Sequence, residues 1–333
     1  MDPTLTFGLE FEAILVRFKP HIAPLQQTTA REVLARLIDD AKRHYLQQMF
    51  RVNPPNALAQ AVTPPGTPDY TLWNVVAEPT IKVYAADAAM LPGEAQPIGV
   101  EVLTPILLAA NRQAWTTELR AVLQGVAQHA EWKTNRSTGL HIHVGRRPDN
   151  HGRRVTFTLQ ELQRIAILVC RFEDAIDLCL PDYRKNDNGN IRSNRYNRLL
   201  RGHALNEVYQ LIEQTDSSYA LAKLLNYHPR EGSGSDQDGA YRGSRDSKYH
   251  KVNFTAVHKF GTVEFRQHDG TVSENAAIEW TDFILRFVYY ALSNHPETLK
   301  ANGQNGTVQE LGRLFGLPRL FQEMLVWRRI PFQ

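Results

Sequence analysis

Residues 5–12 read LTFGLEFE. In a strand, successive side chains alternate between faces, so Phe7, Leu9 and Phe11 fall on one side and Glu10 and Glu12 on the other. The apolar side belongs to a core, and the other carries two charges next to each other. The same alternation recurs. In residues 140–144, LHIHV, His141 and His143 share one face and Leu140, Ile142 and Val144 the opposite one. In residues 261–268, Thr262, Glu264, Arg266 and His268 line up against Val263, Phe265 and Gln267. Residues 249–256 put Lys251, Asn253 and Thr255 together, and Glu101 stands inside the apolar run VEVL of residues 100–103.

Around these strands the periodicity predicts helices. Thr29 with Glu32 and Thr158 with Glu161 form capping-box signatures, each ahead of an apolar stripe, the first reaching about residue 50 and the second residue 179. Further helices are expected at 114–131 and 275–293, two short ones between 204 and 226, and a helical C-terminus. Strands are expected at 5–16, 70–77, 80–84, 98–103, 139–145, 249–258 and 261–268. Short strands with helices between them, and no regular strand-helix-strand alternation, argue an α+β fold: a mostly antiparallel sheet with helices on its apolar side. We expect one catalytic domain over residues 1–333. It carries a proline-rich rim segment at 53–69 and a polar, Gly- and Ser-rich segment at 231–245 that is either an active-site lid or a disordered insertion.

The bulk numbers narrow the function. The 38 basic and 35 acidic residues leave a net charge of +3, too small a footprint for nucleic acid. The start, MDPTLTFGLEFE, lacks the pattern of a signal peptide, and no apolar run is long enough for a membrane span. Cys170 and Cys179, nine positions apart in a predicted helix, lie on different faces. A cytoplasmic protein acting on small molecules, with oligomeric state left open, is the expectation.

One polar-faced strand is ordinary, but surface faces favour mixed Lys, Thr, Ser and Gln. This set is Glu10, Glu12, Glu101, His141, His143, Glu264 and Arg266. Carboxylates that converge repel by about 4 kcal/mol per pair at ~4 Å and an effective dielectric near ~20, so something positive must sit among them. Oxygen-rich clusters with a histidine or two suit Mg²⁺ or Mn²⁺, ions that commonly serve phosphoryl transfer. Arg266 offers a planar cation for a phosphoryl group or acyl-phosphate. A basic cluster of Arg184, Lys185, Arg192, Arg195, Arg198 and Arg201 is expected to be mostly a solvated face, with Arg195 the member singled out for function.

The chain resembles the amidoligase family, the fungal-type branch of the carboxylate-amine ligases related to glutamine synthetase and glutamate-cysteine ligase. The resemblance rests on FGLEFE, WNVVAEPT, VEVLTPIL, STGLHIHVG and KVNFTAVHKFGTVEFRQHDGT, in that order over most of the chain. It implies a curved, open-funnel antiparallel sheet, and ATP with Mg²⁺ or Mn²⁺ as cofactors. A small-molecule carboxylate and an amine would be joined through an acyl-phosphate. It further implies Glu10, Glu12, Glu101, His141 and Glu264 as metal ligands. His143, Arg266, Lys251 and Asn253 would contact nucleotide or phosphate, and Glu264, Arg266 and Arg195 would carry catalysis. One departure is Glu78-Pro79-Thr80, where the family usually has Asp-Gly-Ser, leaving the role of Glu78 open. Two rival readings stand beside it: a transition-metal hydrolase using His141 and His143, for which the Glu that cupin-like spacing needs is absent, and a non-catalytic nucleotide-binding relative.

Overall fold

The computed structural model describes residues 2–19, 22, 29–51, 56–62, 66–84, 97–185, 191–227 and 248–330. The segment 231–245 lies outside the described residues, and 53–69 lies partly outside them. The fold is a mixed one, an open and mostly antiparallel sheet with helices. Its strands are β1 (Leu5–Phe18), β2 (Ala59–Ala61), β3 (Trp73–Ala77), β4 (Ile98–Leu103), β5 (Leu107–Leu108), β6 (Ala130–Lys133), β7 (Gly139–Arg146), β8 (Val252–Asn253) and β9 (Thr262–Asp269). They are ordered β2-β3-β4-β1-β7-β9-β8, with β5 and β6 also pairing with β1. The β1–β4, β3–β4, β1–β6 and β8–β9 pairs are antiparallel and β2–β3 is parallel. Among the described residues, no helix is long and apolar enough to cross a membrane.

The chain divides into two compact units. The N-terminal unit comprises Phe7–His141 and Asp269–Ile278, and the C-terminal unit Met1–Thr6, Ile142–His268 and Glu279–Gln333. In the N-terminal unit, helix α1 (Ala30–Phe50) starts at the predicted box: Thr29 Oγ1 accepts from the Glu32 amide, and the Glu32 carboxylate accepts from Thr29 N at 2.6 Å. It packs on α2 (Arg112–His129) so closely that a Cβ at Gly125 would stand 2.6 Å from the Ala41 Cβ. Phe7 meets Trp115 of α2 edge-on at 5.2 Å, so the apolar side of β1 is covered there by helix.

In the C-terminal unit, α3 (Leu159–Leu178) begins at the Thr158–Glu161 box and packs against α4 (Leu205–Glu213) and α5 (Ser218–Leu225). Phe265 of β9 reaches Phe287 of α7 (Glu274–Ser293), a helix whose Phe283 and Phe287 join Phe172 and Phe315 in one aromatic core.

Three local expectations fail for identifiable reasons. Residues 80–84 form no strand, because the Glu78 carboxylate accepts from Thr80 N and Oγ1, Lys82 N donates to Ser137 Oγ, and Lys82 O accepts from Asn135 Nδ2. The strand expected at 249–258 shrinks to β8. Asn253 Oδ1 accepts from Thr255 N at 3.0 Å and turns the chain into α6 (Ala256–Phe260), which Gly261 closes with φ 76°. Helix α2 ends at His129, two residues early, and the chain continues directly as β6 onto the far half of β1.

Among the described residues no strand lies beyond the outer edge of β8, yet its backbone is paired. Asn194 Oδ1 accepts from Val252 N at 2.8 Å while its Nδ2 donates to Val252 O at 2.7 Å. Asn226 donates to the same carbonyl and accepts from Phe254 N at 3.0 Å. Two side-chain amides thus take the place of a peptide backbone.

Candidate active site

In the N-terminal unit, register builds the site. Glu12 of β1 stands directly opposite Glu101 of β4, a placement in which two like charges on one face destabilise an antiparallel pair. Strand β7 lies on the other side of β1 and delivers His141. Ligand atoms from Glu12, Glu101 and His141 all lie within 4.8 Å of one another. The imidazole sits between two carboxylates, with Nδ1 3.1 Å from Glu10 Oε2 and Nε2 3.8 Å from Glu12 Oε1. Both Glu12 and His141 are buried, and the second oxygen of Glu12 accepts from the Gly139 amide at 2.6 Å. That bond fixes the carboxylate independently of any bound ion.

Electrostatics follows from this crowding. Burial, then the neighbouring Glu10, Glu12 and Glu78 carboxylates, push the Glu101 carboxyl well above the usual carboxylate range. Tyr70, just ahead of β3, feels the same field: burial and then Glu10 and Glu101 raise its phenol. The strand expected from residue 70 begins only at Trp73, because Tyr70 stands in a turn held by Asp69 and Asn74, and periodicity gave no sign of its place beside the carboxylates. Glu78 contributes charge to Glu101 but spends its oxygen on its own turn through Thr80.

The C-terminal unit gathers a second group. Register sets Asn253 opposite Glu264, and Asn253 Nδ2 donates to Glu264 Oε2 at 2.7 Å. The Arg266 guanidinium bonds the other oxygen, and His143 Nε2 stands 4.0 Å from it. His143 is oriented through Nδ1 by Thr262 Oγ1 at 2.8 Å. Four of the expected residues, His143, Asn253, Glu264 and Arg266, are therefore neighbours.

Lys251 and Arg195 go elsewhere within this unit. The Lys251 ammonium, with no exposed side-chain surface, lies 3.2 Å from Glu173 Oε1 and 2.5 Å from Asp177 Oδ2 of α3. Arg195 bonds Asn305, stacks on Tyr196 at 5.0 Å and lies 3.8 Å from Asp174. Both are tied to the buried Glu173 carboxylate, which also accepts from Ser193 Oγ and from the amides of Asn194 (2.9 Å) and Arg195 (3.1 Å). Burial and Glu173 raise the Asp177 carboxyl to about 6 despite the opposing pull of Lys251. Arg184, expected on a solvated face, is instead buried.

The donor chemistry of the first group is three carboxylates and an imidazole, with no thiol. Cys170 and Cys179 are buried in and after α3, and burial pushes both thiols up. Hard oxygen donors around a raised carboxyl fit a divalent cation of the Mg²⁺ or Mn²⁺ type. The family model described as "Putative amidoligase enzyme" matches residues 3–288. No curated protein matches the chain.

Proposed function

Because the chain belongs to the amidoligase family, whose name denotes amide-bond ligation, we propose that it is an ATP- and Mg²⁺-dependent ligase joining a carboxylate to an amine through an acyl-phosphate. The observation that carries this reading is the Glu12–Glu101–His141 group, with ligand atoms within 4.8 Å, which concentrates negative charge that a bound cation would offset. A divalent ion held by these residues, with Glu10, would supply that positive charge and shield phosphate oxygens.

The chemistry assigned to the substrates balances. A carboxylate oxygen forms a bond to the γ-phosphorus of ATP as the bond to the ADP oxygen breaks. The amine nitrogen then attacks the acyl carbon, inorganic phosphate leaves, and the amine sheds a proton. The protein's share is positioning and charge neutralisation. Arg266, oriented by Glu264, is given the phosphoryl oxygens, for which a planar guanidinium is better shaped than an ammonium. His143, fixed through Thr262, can donate from Nε2. Asn253 holds Glu264 in place, and Arg195 is assigned to substrate or phosphate, while Lys251, its ammonium buried against Glu173 and Asp177, would serve by anchoring the segment that carries Arg195. The curved open-funnel architecture of glutamine synthetase-type ligases belongs to the same proposal.

Calorimetric titration of a non-hydrolysable ATP analogue with Mg²⁺, and again with a chelator, is the direct test. It is followed by ADP release in the presence of carboxylate and amine panels. Binding that requires Mg²⁺, and ADP release that requires both substrates, support the reading. Turnover without ATP, or zinc or iron in the purified protein, overturns it in favour of a metallohydrolase.

A further inference from the structure

Strand β9 has eight residues and its edge partner β8 only two. Beyond the Asn253–Glu264 pair, Lys251 accepts from Arg266 N at 2.8 Å. A closed antiparallel pair would return the bond, with Lys251 N–H donating to Arg266 O. Instead Lys251 N donates to Arg192 O at 2.8 Å, and Arg192 N donates to Tyr249 O at 2.9 Å, so the chain leaves β9 at this point. The carbonyls of Arg266 and His268, two residues apart on the same edge of the strand, are met by a side chain. Arg184 Nη2 donates to Arg266 O at 2.6 Å and to His268 O at 2.8 Å, and Nε to Gln267 O at 3.3 Å. Arg184 is buried, at 3% exposure, in the short 3₁₀ turn Asp182–Arg184.

We propose that Arg184 is a positioning residue for Arg266: its guanidinium bonds the edge of β9 where a neighbouring strand would, and fixes the backbone from which the Arg266 side chain departs. The inference rests on the reading that Arg266 meets phosphoryl oxygens. Arg266 is directed at Glu264 on the polar face of β9, whereas Arg184 works in the plane of the sheet at the strand edge. It reaches the ligand only through the backbone. A fork of several N–H groups suits the task, because the two carbonyls and the third at Gln267 are spread along the strand.

The experiment measures affinity for a non-hydrolysable ATP analogue with Mg²⁺ in the wild type, Arg184→Gln, Arg184→Lys, Arg266→Gln and Arg184→Gln/Arg266→Gln, with thermal unfolding of each. Misplacing a contact group by a fraction of an ångström to an ångström is costly, so Arg184→Gln is expected to bind about tenfold more weakly or worse. Arg184→Lys, which keeps the charge and some donors, should fold and lose several-fold. The double variant should bind no more weakly than Arg266→Gln alone, because Arg184 acts through Arg266. Wild-type affinity in a folded Arg184→Gln or Arg184→Lys overturns the proposal, as does a double variant whose losses multiply. Absence of binding by the wild type sinks the ligase reading itself, a result distinct from either.

Discussion

Replacing Lys251 with Met removes an ammonium that lies against both Glu173 and Asp177 while keeping a side chain of similar length. Breaking a buried ion pair by deleting one partner costs about 3–5 kcal/mol, since the surviving charge stays desolvated. Here two carboxylates survive. The loss also depends on pH. The folded-state pKa of Asp177 is raised to about 6 from 3.8, so the proton it holds favours the folded chain below about pH 4. That contribution disappears as pH rises through about 6. Lys251 opposes the rise, so in Lys251→Met the carboxyl titrates higher still and enters the fold protonated over a wider range. Urea unfolding of both proteins at about pH 5 and about pH 8 should give a loss of about 3–5 kcal/mol at the higher pH and a smaller loss at the lower one. A loss under about 1 kcal/mol at the higher pH, or an equal loss at both, refutes the reasoning.

Glu101→Gln removes a charge facing Glu12 and should raise the melting temperature in chelator, by about 2–4 °C per kcal/mol of relieved repulsion, while abolishing stabilisation by added Mg²⁺. A melting temperature that falls, or that still rises with Mg²⁺, removes Glu101 from the cation site. Arg266→Lys is expected to lose ADP release by about tenfold or more with a melting temperature close to wild type, because one ammonium cannot reproduce two parallel N–H donors; full turnover would take Arg266 out of phosphate handling. Gly306→Ala puts a Cβ 2.2 Å from the Phe172 ring and should cost about 1–3 kcal/mol in urea unfolding, against no change if the segment simply moves aside.

The strands that carry the two polar groups are readable because alternation of apolar and polar residues advertises a strand, and residues 5–12, 140–144 and 262–266 alternate in this way. What period two cannot convey is register. That Glu12 would face Glu101, or Asn253 face Glu264, is decided by pairing between segments about ninety and eleven residues apart. Helix starts at Thr29 and Thr158 were legible for a local reason, the reciprocal bonds of the capping box. The short β8 was overestimated because Asn253, a β-face residue by alternation, is also a turn former, and its side chain bends the chain within two residues. Arg184 was misjudged because the carbonyls it serves lie more than eighty positions away in the chain. Glu173 does carry a local signal. It falls four residues after Val169 and three before Ile176, on the apolar stripe of α3, and a carboxylate there demands partners.

The amides of Asn194 and Asn226 along β8 have a consequence for life at high concentration. A terminal strand with free N–H and C=O groups invites another chain to add itself, the first step toward aggregates. At Val252 both groups are already engaged by Asn194, and Phe254 N is engaged by Asn226, so an incoming strand would have to displace bonds of 2.7–3.0 Å before making any of its own. Two buried asparagines thereby protect the molecule from its own kind.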